Sequence, residues 1–327
     1  MAPFTQTLYK PSQATLIVSA ISITCIAMLG SRLNWVSQDA SSTPDRDPIF
    51  DLPRPPIDLV YSRTSNIICM TVMTSFGLLA VLLGALDARR SRTLLPVVLP
   101  LSGAMIAFPE TFIDVLGCIY YPWTDQNASF HILGREMPPW IPVWFGYGSL
   151  MQILLQLLSR KTSTRNLWWF LALMMISDLI VEEILLPMGV YAYYGNQPLV
   201  AINLFPWWWM VSNSVGVFLA TALSYRYREL LTGWRVLAVL FLTPMSVGGI
   251  YGFICFPVWA AINGDYGWFI TQLLGLLTMV FGFIAFCLVL ELVLERRPFD
   301  MEANEESCGK LSVEQDSQAS VQYTDRD

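Results

Sequence analysis

The sequence predicts an all-α protein, a polytopic membrane helical bundle of about eight transmembrane helices. Three observations carry that expectation. Of 327 residues, 54% are hydrophobic and only 13% are charged, with a mean hydropathy of +0.51; a soluble domain carries about 25% charge. The apolar residues gather in eight runs, each near the ~20 residues that a helix needs to cross a bilayer. Basic residues fall after every second run.

The runs cover roughly 14–30, 66–86, 93–118, 140–159, 167–187, 199–223, 236–256 and 266–293. No A-x-A cleavage pattern follows the first and shortest run, so it reads as an anchor rather than a signal peptide. Residues 31–65 hold Pro44, Pro48, Pro53, Pro55 and Pro56 among Asp and Ser, and read as an extended lumenal loop. The third, fourth and seventh runs contain prolines, which predicts kinks there.

Arg89, Arg90 and Arg92 follow the second run. Arg160, Lys161 and Arg165 follow the fourth, Arg226, Arg228 and Arg235 the sixth, and Arg296 and Arg297 the eighth. The positive-inside rule makes these connections cytosolic. With Lys10, Lys310 and Arg326 they place 14 basic residues inside, against five outside (Arg32, Arg46, Arg54, Arg63, Arg135). Both termini are then cytosolic, and the chain reads as a multi-pass protein of the endoplasmic reticulum. The one N-x-S/T site, Asn127-Ala-Ser129, falls on the lumenal side as the expected glycosylation site. Two units result. Residues 1–297 form the transmembrane helical domain, and residues 298–327 a disordered, acidic cytosolic tail. That tail holds eight acids against Lys310 and Arg326, so the net charge of −6 belongs to it, and the body is balanced at 17 acids and 17 bases.

A neutral body without a basic face excludes nucleic acid as a partner. The single histidine, His131, excludes histidine-box di-iron oxidases, histidine zinc sites and most Ser-His-Asp hydrolases. The six cysteines (25, 69, 118, 255, 287 and 308) show no C-x-x-C and read as small core residues. No internal repeat is visible, which argues against a transporter built from paired halves.

The informative residues are acids inside apolar runs. Glu110 and Asp114 sit in Phe108-Pro-Glu-Thr-Phe-Ile-Asp114, and Asp178, Glu182 and Glu183 in Asp178-Leu-Ile-Val-Glu-Glu183. A charge at bilayer depth costs about 2.5 kcal/mol or more, so such residues face protein or water and mark function. The i, i+4 spacing places Glu110 with Asp114, and Asp178 with Glu182, on one helix face each. Counted from the cytosolic ends of their runs, both pairs fall between mid-bilayer and the lumenal boundary, which predicts one shared cavity. No lysine or arginine lies at that depth in any run, so at least one acid is expected to carry a proton and to act as a proton donor.

Phe112, Tyr120, Tyr121, Tyr191, Tyr193, Tyr194 and Tyr251 crowd the lumenal ends of the third, fifth and seventh runs. An acid beneath aromatic faces suits a carbocation reaction: a proton starts it, π-faces carry the charge, and water is excluded. Phe112, Tyr120, Tyr194 and Tyr251, with Asn213 in the sixth run, are the expected substrate-binding residues. The tryptophans, among them Trp140, Trp208 and Trp209, read as an interfacial belt. Glu291 and Glu295, at the exit of the last run, read as structural. Glu110-x-x-x-Asp114 and Asp178-x-x-x-Glu182 also suggest the acid pairs with which intramembrane prenyltransferases hold magnesium diphosphate. A diphosphate needs Lys or Arg beside the metal, and none is present at that depth. The expectation is therefore no metal and no cofactor.

Phe108–Asp114, Tyr120-Tyr-Pro-Trp123 and Gly134-Arg-Glu-Met-Pro-Pro-Trp140 resemble stretches of the fungal integral-membrane terpene cyclases of meroterpenoid pathways, of the ascochlorin/ascofuranone or drimane-forming type. They cover about a tenth of the chain. The resemblance implies a metal-independent terpene cyclase, in the isomerase or lyase class. An acid would protonate a terminal epoxide or olefin of a farnesyl chain, the chain would cyclise, and a base would take a proton off. Glu110, Asp114, Asp178 and Glu182 would be the catalytic acids, with Glu110 or Asp178 as donor. The partners implied are a small hydrophobic prenylated substrate and membrane lipid, with no obligate protein partner. A sterol- or carotenoid-type isomerase or hydratase would use the same acids. A magnesium-dependent prenyltransferase, and a proton-coupled transporter or receptor, are further functions compatible with acids buried in a membrane bundle.

Overall fold

The computed structural model describes residues 46–122, 130–132, 135–138, 140–141, 146–201 and 205–302. Eight helices account for most of them. These are α1 (Arg63–Ser91), α2 (Leu95–Gly117), α3 (Gly146–Ser159), α4 (Thr164–Leu185), α5 (Trp208–Arg226), α6 (Gly233–Ile254), α7 (Phe256–Asn263) and α8 (Trp268–Leu288), the last continued by a π-turn over Val289–Val293.

Helix α1 begins where Ser62 Oγ accepts the Ser65 N–H at 3.3 Å, and stops at Arg92, which turns left-handed (φ 55°). Its buried residues are Asn66, Cys69, Met73, Gly77, Ala80 and Gly84. They recur every three or four positions, so α1 presents one stripe of mostly small residues to α2 and α3. The other face exposes Ile68, Phe76, Leu79, Leu82 and Leu86, as a lipid-facing surface does. At Gly84 a Cβ would stand 2.0 Å from the Pro96 carbonyl oxygen, so only glycine lets the two backbones approach this closely.

Helix α2 carries the expected proline irregularity. Pro100 lies inside the helix, which tightens to a 3-10 turn over Gly103–Ile106 before the α-helix resumes at Ala107. Ser102 in α2 and Thr243 in α6 share a hydrogen bond of 2.7 Å. Helix α5 is the axis of the bundle: 15 of its 19 residues are buried, and it packs against α3, α4, α6 and α8. Because protein surrounds it, its polar residues need no water. Thr221 and Ser224 donate back to the Val217 and Ala220 carbonyls at 3.0 and 2.8 Å.

One end of the bundle is closed by short antiparallel ladders and side-chain amides. β1 (Ile119–Tyr120) pairs with β4 (Ala192–Tyr193) in the register Ile119↔Tyr193 and Tyr120↔Ala192. β2 (Phe130–Ile132) pairs with β3 (Arg135–Met137), and β5 (Val200–Ala201) with β6 (Phe205–Pro206). Gln197 Nε2 donates to the carbonyls of Gly117 (2.7 Å) and Tyr194 (2.9 Å). Gln272 Oε1 accepts the Leu199 N–H at 2.8 Å. These bonds hold the α4–α5 connection across the end of α2. Arg46 reaches the same end, donating to the Asn263 carbonyl at 2.9 Å.

Four helices are long and apolar enough to cross a membrane by length and composition: α1, α2, α6, and α8 through Val293. The chain is therefore read as an all-helical membrane bundle. The expected eight spans are not met. The first run, 14–30, lies outside the described residues. Helix α3 has only 14 residues, α7 is a separate eight-residue helix after the break at Cys255, α4 carries three acids, and α5, though continuous, places the polar Ser212, Asn213 and Ser214 in its apolar run. The loop expected over 31–65 gives way to α1 at Arg63. Asn127 lies outside the described residues, as do 303–327 of the tail. The tail does not part from the body at Pro298. The Trp168 indole N–H donates to the Pro298 carbonyl at 2.8 Å, and the Met301 carbonyl accepts the Arg165 N–H at 3.0 Å.

Candidate functional site

The site is built from α2, α4 and the connection that follows each. The i, i+4 pairs behave as the helical period requires. Glu110 and Asp114 face inward from α2, where Asp114 is fully buried. Phe108 and Phe112, on the opposite face, are 64% and 54% exposed. Asp178 and Glu182 face inward from α4, where Glu182 is buried, while Ile176, Ile180 and Ile184 point outward. Counted at ~1.5 Å per residue, Glu110 lies about 22 Å along α2 and Asp178 about 21 Å along α4. Two helices of the same sense thus bring their acids to one level. Glu110, Asp178 and Glu182 lie close enough to interact electrostatically, and Tyr121 interacts with Asp114, Glu110 and Glu182 together. Among the described residues, no basic side chain is among the groups that act most strongly on Glu110, Asp178 or Glu182.

The acids differ in their partners. Asn213 Nδ2 donates to both oxygens of Asp178, at 3.2 and 3.0 Å. The Tyr147 hydroxyl donates to Asp178 as well. The Tyr251 hydroxyl donates to Asn213 Oδ1, which turns the amide nitrogen toward Asp178. Glu182 Oε2 accepts the hydroxyls of Tyr191 (2.5 Å) and Tyr193 (3.0 Å). Burial first, and then the Glu182 charge beside them, holds both phenols well above the ordinary tyrosine range, so each keeps the proton it donates. Glu110 has no hydrogen-bond partner among the described residues. It lines a narrow cleft with Gly103, Ile106, Ala107, Ile141 and Tyr147. The cavity volume there is about 10 Å³, near the minimum that one water molecule needs.

Aromatic rings form a continuous wall around these groups. Trp140 meets Tyr121 edge-on at 5.7 Å, and Tyr121 meets Tyr191 at 5.7 Å. Tyr191 contacts Tyr193 at 5.9 Å, Tyr193 contacts Trp209 at 5.7 Å, and Trp209 contacts Tyr251 at 5.6 Å. Trp208 stacks on Trp209 at 4.2 Å. A chain of π-faces beside buried carboxylates is an environment for positive charge.

The structure therefore gathers Glu110, Asp114, Asp178, Glu182, Asn213 and Tyr251 in one place. Phe112 is a correction: the helical period carries it to the outer face of α2, away from the acids. Tyr120 is buried in the β1–β4 ladder, and its neighbour Tyr121 takes the inward position instead. Tyr194 packs on the core, its N–H bonded to the Cys118 carbonyl at 2.9 Å. Trp140, Trp208 and Trp209 are buried core residues rather than belt residues. The Trp140 indole N–H is satisfied by Asn66 Oδ1 at 3.0 Å. Tyr147 was not foreseen. It follows Phe145-Gly146 in an ordinary apolar run, and no local signal distinguishes it. Among the described residues, no three His, Cys, Asp or Glu side chains are arranged to hold a metal ion. No protein-family model, no curated protein and no solved structure matches the chain.

Proposed function

We propose that the chain is a membrane enzyme that starts a carbocation reaction with a buried carboxylic acid: a metal-independent terpene cyclase acting on the prenyl chain, farnesyl in length, of a meroterpenoid-type substrate. One observation carries this reading. Carboxylates from α2 and α4 converge, without a basic partner, on an unbroken wall of tyrosine and tryptophan beside a mostly apolar cleft. An unneutralised acid supplies the proton, the π-faces stabilise the cation, and the surrounding protein excludes water that would quench it. In this reading α4 and α5 also cross the bilayer as inner helices. At ~1.5 Å per residue, their 22 and 19 residues span about 33 and 28 Å. Their polar residues face protein rather than lipid. The enzyme sits in the endoplasmic reticulum with the acids toward the lumenal half. Substrate entry requires Tyr147 and Ile141 to move, because the cleft beside Glu110 has room for only one water.

The same cleft favours a second reading, a hydratase or double-bond isomerase of a sterol- or carotenoid-type substrate, in which that water or an allylic proton completes the reaction. Both readings are tested by product analysis after the full chain is expressed with farnesylated phenols and their terminal epoxides. Cyclised, isomeric product from wild type, lost in Glu110→Gln and Asp178→Asn and kept in Glu291→Gln, is the result expected. Product carrying an added water would move the assignment to the hydratase. Turnover that survives both acid substitutions would end the acid-initiated mechanism at this cluster.

A further inference from the structure

We infer that Glu110 and Asp178 work as a pair with one proton and divided roles, Glu110 holding the proton toward the cleft and Asp178 held as the anion by Asn213, Tyr147 and, through Asn213, Tyr251. The assignment of roles rests on the cyclase reading; the position of the proton does not.

Two carboxylates that interact electrostatically in a protein interior, with no cation beside them among the described residues, do not both ionise, so they share a proton. Among the described residues, the other groups gathered about Glu110 are Asp114, Glu182, Tyr121, Tyr147 and Tyr251, none of them basic. Donor geometry decides which acid keeps the proton. Both Asp178 oxygens face one Asn213 nitrogen, Nδ2, and the Tyr147 hydroxyl is a second donor group. A carboxylate that accepts several donors is stabilised as the anion, because a protonated acid would waste one acceptor and oppose one donor. Tyr251 fixes this polarity. Its hydroxyl donates to Asn213 Oδ1, the arrangement that leaves Nδ2 directed at Asp178. Glu110 receives no such donor among the described residues and opens on the cleft. Asn213 and Tyr251 are thus positioning residues.

The geometry also supplies a return path for the proton. Tyr147 lines the cleft with Glu110 and bonds to Asp178 on its other side. The Glu110 O–H bond breaks as its proton bonds to the terminal epoxide oxygen or alkene carbon. Ring closure carries the positive charge along the chain. The final C–H bond then breaks and its electron pair forms the product alkene. Its proton passes to the Tyr147 oxygen while the Tyr147 proton passes to Asp178. Transfer from Asp178 back to Glu110 resets the pair, with no co-reactant consumed.

Infrared difference spectra of the full chain in bilayers, exchanged between light and heavy water, read the proton directly through the carbonyl stretch of a protonated carboxylic acid. A component of that band should vanish in Glu110→Gln and persist in Asp178→Asn, since no described residue donates a hydrogen bond to Glu110. Should Glu110→Gln fail to fold, Glu110→Asp should shift the component instead. Loss of the component in Asp178→Asn, or no change in either Glu110 variant, overturns the inference. Tyr147→Phe should leave the band intact and lower turnover by about a hundredfold to ten-thousandfold, the usual worth of a proton-transfer group; unchanged turnover in Tyr147→Phe removes the return path. The two readings fail separately. A proton on Glu110 with no product from any prenylated substrate would sink the cyclase and leave the pair standing.

Discussion

Gly117 ends α2 against the tryptophan that closes the aromatic wall, and Gly117→Ala tests whether the wall is held rigidly. A Cβ at this position would stand 2.5 Å from Trp209 Cζ2 and 2.8 Å from Cη2. An ordinary contact needs about 3.5 Å or more, so the ring must retreat by about 1 Å. It has little room to do so, being 2% exposed and packed against Trp208, Tyr193 and Tyr251. Two effects oppose each other. Alanine in a helix gains up to about 1 kcal/mol over glycine. Overpacking a tight interior costs about 1–3 kcal/mol. With the full helix gain set against the clash, a net loss of up to about 2 kcal/mol is expected from these two ranges. In a Trp209→Phe background the clashing Cζ2 and Cη2 atoms of the indole are absent, so the same alanine should be neutral or stabilising. Denaturant or thermal unfolding of the four proteins in detergent, followed by tryptophan fluorescence, closes the cycle. Equal destabilisation by Gly117→Ala in both backgrounds would show that the ring is not what the methyl meets. It would also remove the argument that the wall is a fixed surface.

Phe112→Ala should leave turnover near wild type, because that ring points away from the acids; a large loss would return it to the site. A tag after Asp327 should be modified only from the cytosolic side, and cysteines introduced over 119–137 only from the lumenal side. The reverse labelling would turn the bundle over and move the acids to the cytosolic half. Full turnover in EDTA is expected from a proton-initiated reaction, and loss restored by magnesium would favour a prenyltransferase. At the other end of α1, Asp87 Oδ2 accepts from Gln152 at 2.9 Å and Gln156 at 2.6 Å. Asp87→Ala leaves those two amides without their acceptor and should cost about 1–3 kcal/mol in an unfolding titration.

The periodicity of the sequence is enough to put each pair of acids on one inward helix face. The i, i+4 spacing of Glu110 with Asp114 and of Asp178 with Glu182 is a local property of a helix, and counting residues from the arginine-marked ends placed both pairs at one depth. The same reasoning, carried through fully, would have rejected Phe112, which lies two residues from Glu110 and hence on the far side of the turn. The count of spans was not legible. Hydropathy measures suitability for lipid, whereas α5 meets almost none: its Ser212, Asn213 and Ser214 are supported by neighbouring helices, and its tryptophans are core. What covers a helix is decided by its partners, which lie far away along the chain. The roles of the acids were hidden for the same reason. Alone, Asp178 and Glu110 are the same chemistry at the same depth. Only the packed bundle brings Asn213 from α5, Tyr251 from α6 and Tyr147 from α3 to one of them, and leaves the other facing the cleft. Sequence by itself determined a helical membrane body with acids on inward faces, because those follow from composition and a 3.6-residue period. The tertiary structure alone decided which acid is bound by donors and which is not, because hydrogen bonds between helices depend on distances that no local pattern records.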